Sequence, residues 1–129
     1  MSPAEFVAKK IEGAQSLEES SKWLAILCSD DCEIGENGIL TLYGRRHLVE
    51  NIDGLQVTVR SNEHPSPHFH VTGQGIDASF TIETGAHMKG KATAKQLRAV
   101  SFWYSRSRLL LVETWNKTRP SNCNIGPIR

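Results

Sequence analysis

Apolar residues recur along this chain with two different periods, and the changes between them mark out its elements. Phe6, Val7 and Ile11 fall on one side of a 3.6-residue turn, and Trp23, Leu24 and Leu27 do the same. Each set is preceded by a helix-start signal. Ser2-Pro3-Ala4-Glu5 puts Ser at the N-cap, Pro at the first helical position and Glu three residues after the cap, and Ser16-Leu17-Glu18-Glu19 repeats the capping box. Gly13 is a natural stop for the first helix, and the second ends near Cys28. The acidic stretch from Ser29 to Asn37 reads as a loop. Residues 39–43 read as a short β segment closed by Gly44.

From Gly54 the period becomes two. Leu55, Val57 and Val59 alternate with Gln56, Thr58 and Arg60, the pattern of a half-buried strand. Pro65 and Pro67 make residues 62–67 a loop, because proline lacks the ladder donor and restricts the residue before it. Two further strands are predicted over residues 68–72 and 76–83, with Gly73-Gln74-Gly75 as turn chemistry between them. Thr93 then caps a helix with Leu97, Val100 and Tyr104 on its inner stripe. Ser105 or Ser107 is read as capping a second helix that carries Leu111 and Trp115. Arg119-Pro120 ends it, and residues 121–129 read as an irregular tail. The fold class is α+β: an antiparallel sheet of three to four strands, two N-terminal helices, and two C-terminal helices on the Phe69/Val71/Phe80/Ile82 face.

The hairpin can be read in register. With Gln74-Gly75 as a two-residue turn, His68 stands opposite Thr81, Phe69 opposite Phe80, His70 opposite Ser79 and Val71 opposite Ala78. Every apolar residue then shares one face, and His68, His70, Asp77, Ser79, Thr81 and Glu83 share the other. A three-residue turn would mix the faces.

That polar face admits three readings. His68 and His70, two residues apart on a strand, can ligate zinc or another divalent first-row metal, with His64, Asp77, Glu83 or His87 completing the shell. The same face can bind a ligand without metal or move protons, since imidazole titrates near neutrality and Ser79 and Thr81 offer hydroxyls. The third reading is an ordinary solvated sheet face. Two better-known H-x-H patterns fit poorly: Thr72 stands where a histidine triad needs its third histidine, and Gln74 and Gly75 stand where a cupin needs a glutamate. Of the two acids, Glu83 is expected nearer the histidines than Asp77, because it lies toward the proline loop where His64 enters.

Length and composition narrow the function classes. At 129 residues the chain has one domain's worth of core, and 39% apolar with 22% charged residues excludes general disorder. No apolar run approaches the length of a membrane helix, and no basic stretch leads into an apolar core at the N-terminus. Three cysteines, Cys28, Cys32 and Cys123, are an odd count, with a C-x3-C spacing that matches neither a zinc knuckle nor a redox pair. Reduced thiols in the cytoplasm are expected. The net charge of +1 hides a split: residues 1–83 carry six Lys/Arg against thirteen Asp/Glu, and residues 84–129 carry nine against Glu113 alone. Lys95, Arg98, Arg106 and Arg108 are expected on outer helix faces, where they would receive an acidic partner, another anionic ligand or a nucleic acid, unless the two halves neutralise each other. No zinc finger, RNP aromatic pattern or helix-turn-helix accompanies them.

Four pieces of this sequence occur together in a family of small bacterial proteins. They are the strand before Asn62-Glu63-His64-Pro65, the run Pro67-His68-Phe69-His70-Val71, Ile82-Glu83-Thr84-Gly85, and a helix ending Leu111-Val112-Glu113-Thr114-Trp115-Asn116. The chain from about Ile52 onward resembles the domain of unknown function number 4160. Ser66 replaces a proline usual in that family, and Ala86 replaces an acidic residue. The resemblance implies a family core over residues 52–129 and an added N-terminal helical segment over residues 1–48, within one domain. Members are often encoded beside another small protein, in arrangements resembling toxin–antitoxin or mobile defence modules. The resemblance therefore implies a protein partner and an interaction or regulatory role, with a metal-dependent hydrolase or phosphodiesterase as the alternative.

Overall fold

The structure, a computed structural model, describes residues 2–29, 32–43, 54–59 and 67–117. Helix α1 (Pro3–Glu12) starts as its cap signal predicts, the Ser2 hydroxyl accepting the Glu5 N–H at 3.1 Å, and stops at Gly13. Helix α2 (Leu17–Leu27) is capped by Ser16, whose hydroxyl accepts the Glu19 N–H at 3.0 Å. The returning bond of this capping box closes one residue early, with the Glu19 carboxylate on the Gln15 N–H at 3.0 Å.

The acidic stretch after α2 is not wholly a loop. It contains strand β1 (Cys32–Ile34), paired antiparallel with β2 (Leu40–Leu42) in a two-stranded sheet. Cys32 and Ile34 are buried with exposed Glu33 between them. Three residues are too few for the period to rise above the surrounding acids.

A second sheet runs β3 (Gln56–Thr58), β4 (His68–Gly73), β5 (Ile76–Thr81), β6 (His87–Lys91), all neighbours antiparallel. Strand β6 has no counterpart in the sequence reading. Each of its residues is exposed, so it has no buried side to create an alternation. The β4–β5 hairpin turns on Gln74 and Gly75, with φ of 53° and 83°. Two successive positive φ values make this the turn whose twist matches paired strands, and they fix the two-residue register.

The two predicted C-terminal helices are one, α3 (Ala94–Lys117), of 24 residues. Its cap is reciprocal: Gln96 N–H donates to the Thr93 hydroxyl at 3.1 Å and Thr93 N–H to the Gln96 side-chain oxygen at 2.8 Å. Ser105 and Ser107 do not restart the helix. The Ser105 hydroxyl bonds back to the Phe102 carbonyl at 2.9 Å, an arrangement open to serine inside a helix, and Ser107 is buried.

One apolar cluster joins every element except β6. Phe69 lies at its centre, 5.3 Å from Phe80, 5.7 Å from Trp103 and 6.1 Å from Tyr104 between ring centroids. Val7, Ile11, Leu24, Leu27 and Cys32 belong to the same cluster, so the N-terminal elements complete the core around α3 and do not stand apart from it. A buried polar contact locks them in place. The Trp103 Nε1–H donates to the Ser20 hydroxyl at 2.9 Å and the Ser20 carbonyl at 3.0 Å, and the Ser20 and Ser107 hydroxyls are 3.0 Å apart.

Candidate functional site

The hairpin takes the register that alternation requires: His68 pairs with Thr81, Phe69 with Phe80, His70 with Ser79 and Val71 with Ala78. Phe69 and Val71 are wholly buried against the helices, so the histidines project from the opposite face. His68 is 6% exposed, while His70 is half-buried. Their rings meet edge to face, 5.2 Å between centroids.

The outer strands widen this face beyond what the hairpin alone suggested. Thr58 of β3 pairs with His70, and Lys89 of β6 pairs with Ser79. Thr58, His70, Ser79 and Lys89 therefore form one row across all four strands. Gln56, Thr72, Asp77 and Lys91 form the next. Lys89 and Lys91 were missed in the sequence because β6 was missed, and Thr58 because the pairing of β3 with β4 was not read. The one available signal was the two-residue spacing of the lysines in His87-Met88-Lys89-Gly90-Lys91.

Two of the proposed site residues take other positions. A register shift between Ser79 and Phe80 pairs His87 with Phe80, its ring 5.4 Å from the Phe80 ring and its Nε2 3.0 Å from the Lys89 carbonyl. His87 therefore belongs with the Phe80 side of the sheet and does not complete a shell around His68 and His70. Strand β5 ends at Thr81, so alternation does not reach Glu83, which lies exposed in the following turn with its carbonyl 3.3 Å from Arg108 Nε. The expected ordering of Glu83 and Asp77 rested on that alternation and loses its basis. Thr81 organises the turn itself. Its hydroxyl accepts the N–H groups of Thr84 and Ala86, at 3.2 and 3.3 Å, and lies 2.7 Å from the Thr84 hydroxyl.

The Ile-Glu-Thr-Gly run thus has a structural role. Gly85 N–H donates to the Thr81 carbonyl at 2.8 Å, Ile82 is buried, and the Tyr104 hydroxyl donates to the Ile82 carbonyl. Asp77 is exposed at the hairpin end, beside Lys91. Among the described residues no group of three or more His, Cys, Asp or Glu could hold a metal ion. His64 lies outside the described residues.

The basic residues of α3 are less available than their sequence positions suggested. Lys95 Nζ donates to the Ser29 carbonyl at 2.9 Å and Arg98 Nε to the Ile34 carbonyl at 2.6 Å, both from half-buried side chains. Arg106 folds over the Phe102 ring at 3.8 Å, and of the four basic residues expected on outer faces only Arg108 is exposed. Nearby, burial pushes the Cys28 thiol up to about 12, against a smaller opposing effect of Lys95.

Fold and face together define a small α+β domain whose antiparallel sheet has helices on its apolar side and a polar array on the other. Residues 54–116 match the family described as a domain of unknown function, DUF4160, and this part of the chain is a member of it. The matched segment runs from β3 through α3 and so contains both the polar array and the Thr81–Gly85 turn. No curated protein and no solved structure matches the chain. Among the described residues, no helix is long and apolar enough to cross a membrane.

Proposed function

We propose that this chain is a partner-binding module of toxin–antitoxin or defence type, non-enzymatic or weakly enzymatic, whose polar sheet face takes an acidic segment of a protein partner. The observation that carries this reading is the pair of four-residue rows. They set Lys89 and Lys91 beside a half-buried imidazole, the half-buried hydroxyls of Thr58 and Thr72 and an amide, with the Ser79 hydroxyl buried beneath them, and Asp77 is the only carboxylate among the eight residues. Such an array offers many donors and a positive excess, which suits an acidic surface and favours its approach. The toxin–antitoxin or defence class rests on the family resemblance. The odd cysteine count and the C-x3-C spacing of Cys28 and Cys32 fit reduced thiols, and we place the chain in the cytoplasm.

Where this chain, like many family members, has a small protein encoded beside it, the test is co-purification with that protein. Lys89→Glu/Lys91→Glu should abolish recovery of the partner while the melting temperature stays within a degree or two, because both lysines are exposed. Undiminished recovery would refute the assignment of the face.

The 5.2 Å approach of the His68 and His70 rings keeps a second reading in play, a metal-dependent hydrolase or phosphodiesterase. Catalytic zinc takes three protein ligands as a rule, so this reading needs a third from outside the described residues. Metal analysis of the purified protein decides it. One zinc, manganese or nickel per chain, lost in His68→Ala/His70→Ala, would establish the metal site.

A further inference from the structure

Between α3 and the β1–β2 hairpin lies a groove of about 260 Å³ that shares no residue with the polar sheet face. From α3 it is lined by Arg98, Ser101, Phe102, Ser105 and Arg106, whose spacing of three, four, seven and eight places them on one helix face. Ile34 and Glu36 line the hairpin wall.

Both guanidinium groups here are half-buried, and among the described residues every hydrogen bond they make goes to a neutral oxygen. Arg98 Nε uses the Ile34 carbonyl at 2.6 Å, and Arg106 Nη1 uses the Phe102 carbonyl and the Ser105 hydroxyl, each at 2.9 Å. Arg106 is held further by its 3.8 Å stacking on Phe102, and its Nε is buried with no acceptor among the described residues. Half-buried charges and buried donors are ordinarily compensated, and a guanidinium has five N–H groups to place. Exposed Glu36 offsets one of the two charges and leaves the groove positive.

We propose that this groove binds a phosphoryl group, as free phosphate or as a small monoester. A carboxylate has two oxygens, too few for two guanidinium forks and the Ser101 hydroxyl. A phosphoryl group brings three or four acceptor oxygens and, near neutral pH, close to two negative charges. At about 260 Å³ the groove has room for that group and a small ester substituent, and lies below the range of about 300 Å³ and more that drug-sized ligands occupy.

The experiment is a titration of the full ¹⁵N-labelled chain with inorganic phosphate at constant ionic strength, beside parallel titrations with methyl phosphate and acetate. Saturable shifts should centre on the Ser101 and Ser105 amides and the Arg98 and Arg106 Nε–H signals, with acetate at least tenfold weaker. Ser101 is exposed, so Ser101→Asp should leave the fold intact and weaken phosphate tenfold or more by like-charge repulsion. Tighter binding of methyl phosphate would place the group on a larger molecule, and tighter binding of inorganic phosphate would identify the free ion. Shifts that merely follow ionic strength, acetate equal to phosphate, or unchanged affinity in Ser101→Asp would each overturn the proposal.

Discussion

Tyr104 occupies the space that a side chain at position 85 would need: a Cβ built on Gly85 would lie 2.5 Å from its ring. Gly85 also has φ of 77°, a conformation that L residues adopt at a cost. Gly85→Ala should therefore destabilise the protein by about 2–4 kcal/mol, through overpacking and backbone strain together. Thermal or denaturant melts measure this. In a Tyr104→Ala background the same change should cost clearly less, because the clash is gone and only the strain remains. Equal cost in both backgrounds would show that the contact does not matter.

The buried contact among Ser20, Ser107 and Trp103 ties α2 to α3 without any charge. Ser20→Ala removes one of two acceptors for the indole N–H and the hydroxyl partner of Ser107, and should cost about 1–3 kcal/mol. Ser107→Ala should cost about 1 kcal/mol, since the Ser20 hydroxyl can still accept from Trp103. The double variant should fall short of the sum by a measurable coupling. Strict additivity in denaturant melts would mean that the two hydroxyls do not interact.

Cys28 should be nearly inert in the folded protein. With its thiol pushed up to about 12 by burial, very little thiolate exists at pH 7.5. N-ethylmaleimide labelling followed by peptide mapping should find Cys28 modified far more slowly than a free thiol, and rapidly once the protein is unfolded. The same shift fixes a direction of pH dependence. The folded state favours the neutral thiol, so its contribution to stability is intact below the ordinary thiol value of 9.0 and is lost as pH rises from there toward 12. Fast labelling of native protein at pH 7.5 would contradict this.

What could be read from sequence divides along a physical line. The hairpin register was legible because Phe69, Val71, Ala78 and Phe80 can be buried in only one alignment, and a buried face specifies register strongly. The caps at Ser2, Ser16 and Thr93 were legible because side-chain and backbone chemistry settle them locally. Strand β6 carries no such signal. It is held by pairing with β5, its side chains are exposed, and Met88 sits at the register shift. Losing β6 hid Lys89 and Lys91, and with them the breadth of the candidate site. The break predicted in α3 had a different origin. Ser105 and Ser107 are common cap residues, and nothing local reveals that one bonds back to Phe102 while the other is buried against Ser20. Glu83 was misplaced because alternation was extended past the Thr81 turn, and His87 because neither β6 nor the register shift that pairs it with Phe80 was legible.

The central claim, that the polar sheet face receives an acidic partner segment, is tested most directly by amide-shift mapping with a hexaglutamate peptide as probe. Low salt is needed, since exposed charges farther apart than about 10 Å are largely screened at 0.1 M. Saturable shifts are expected at Thr58, His70, Ser79, Lys89 and Lys91, reversed by added salt, absent with hexaglutamine, and lost in Lys89→Glu/Lys91→Glu. Equal shifts with hexaglutamine, shifts confined to the Arg98–Arg106 groove, or no saturable response would contradict it.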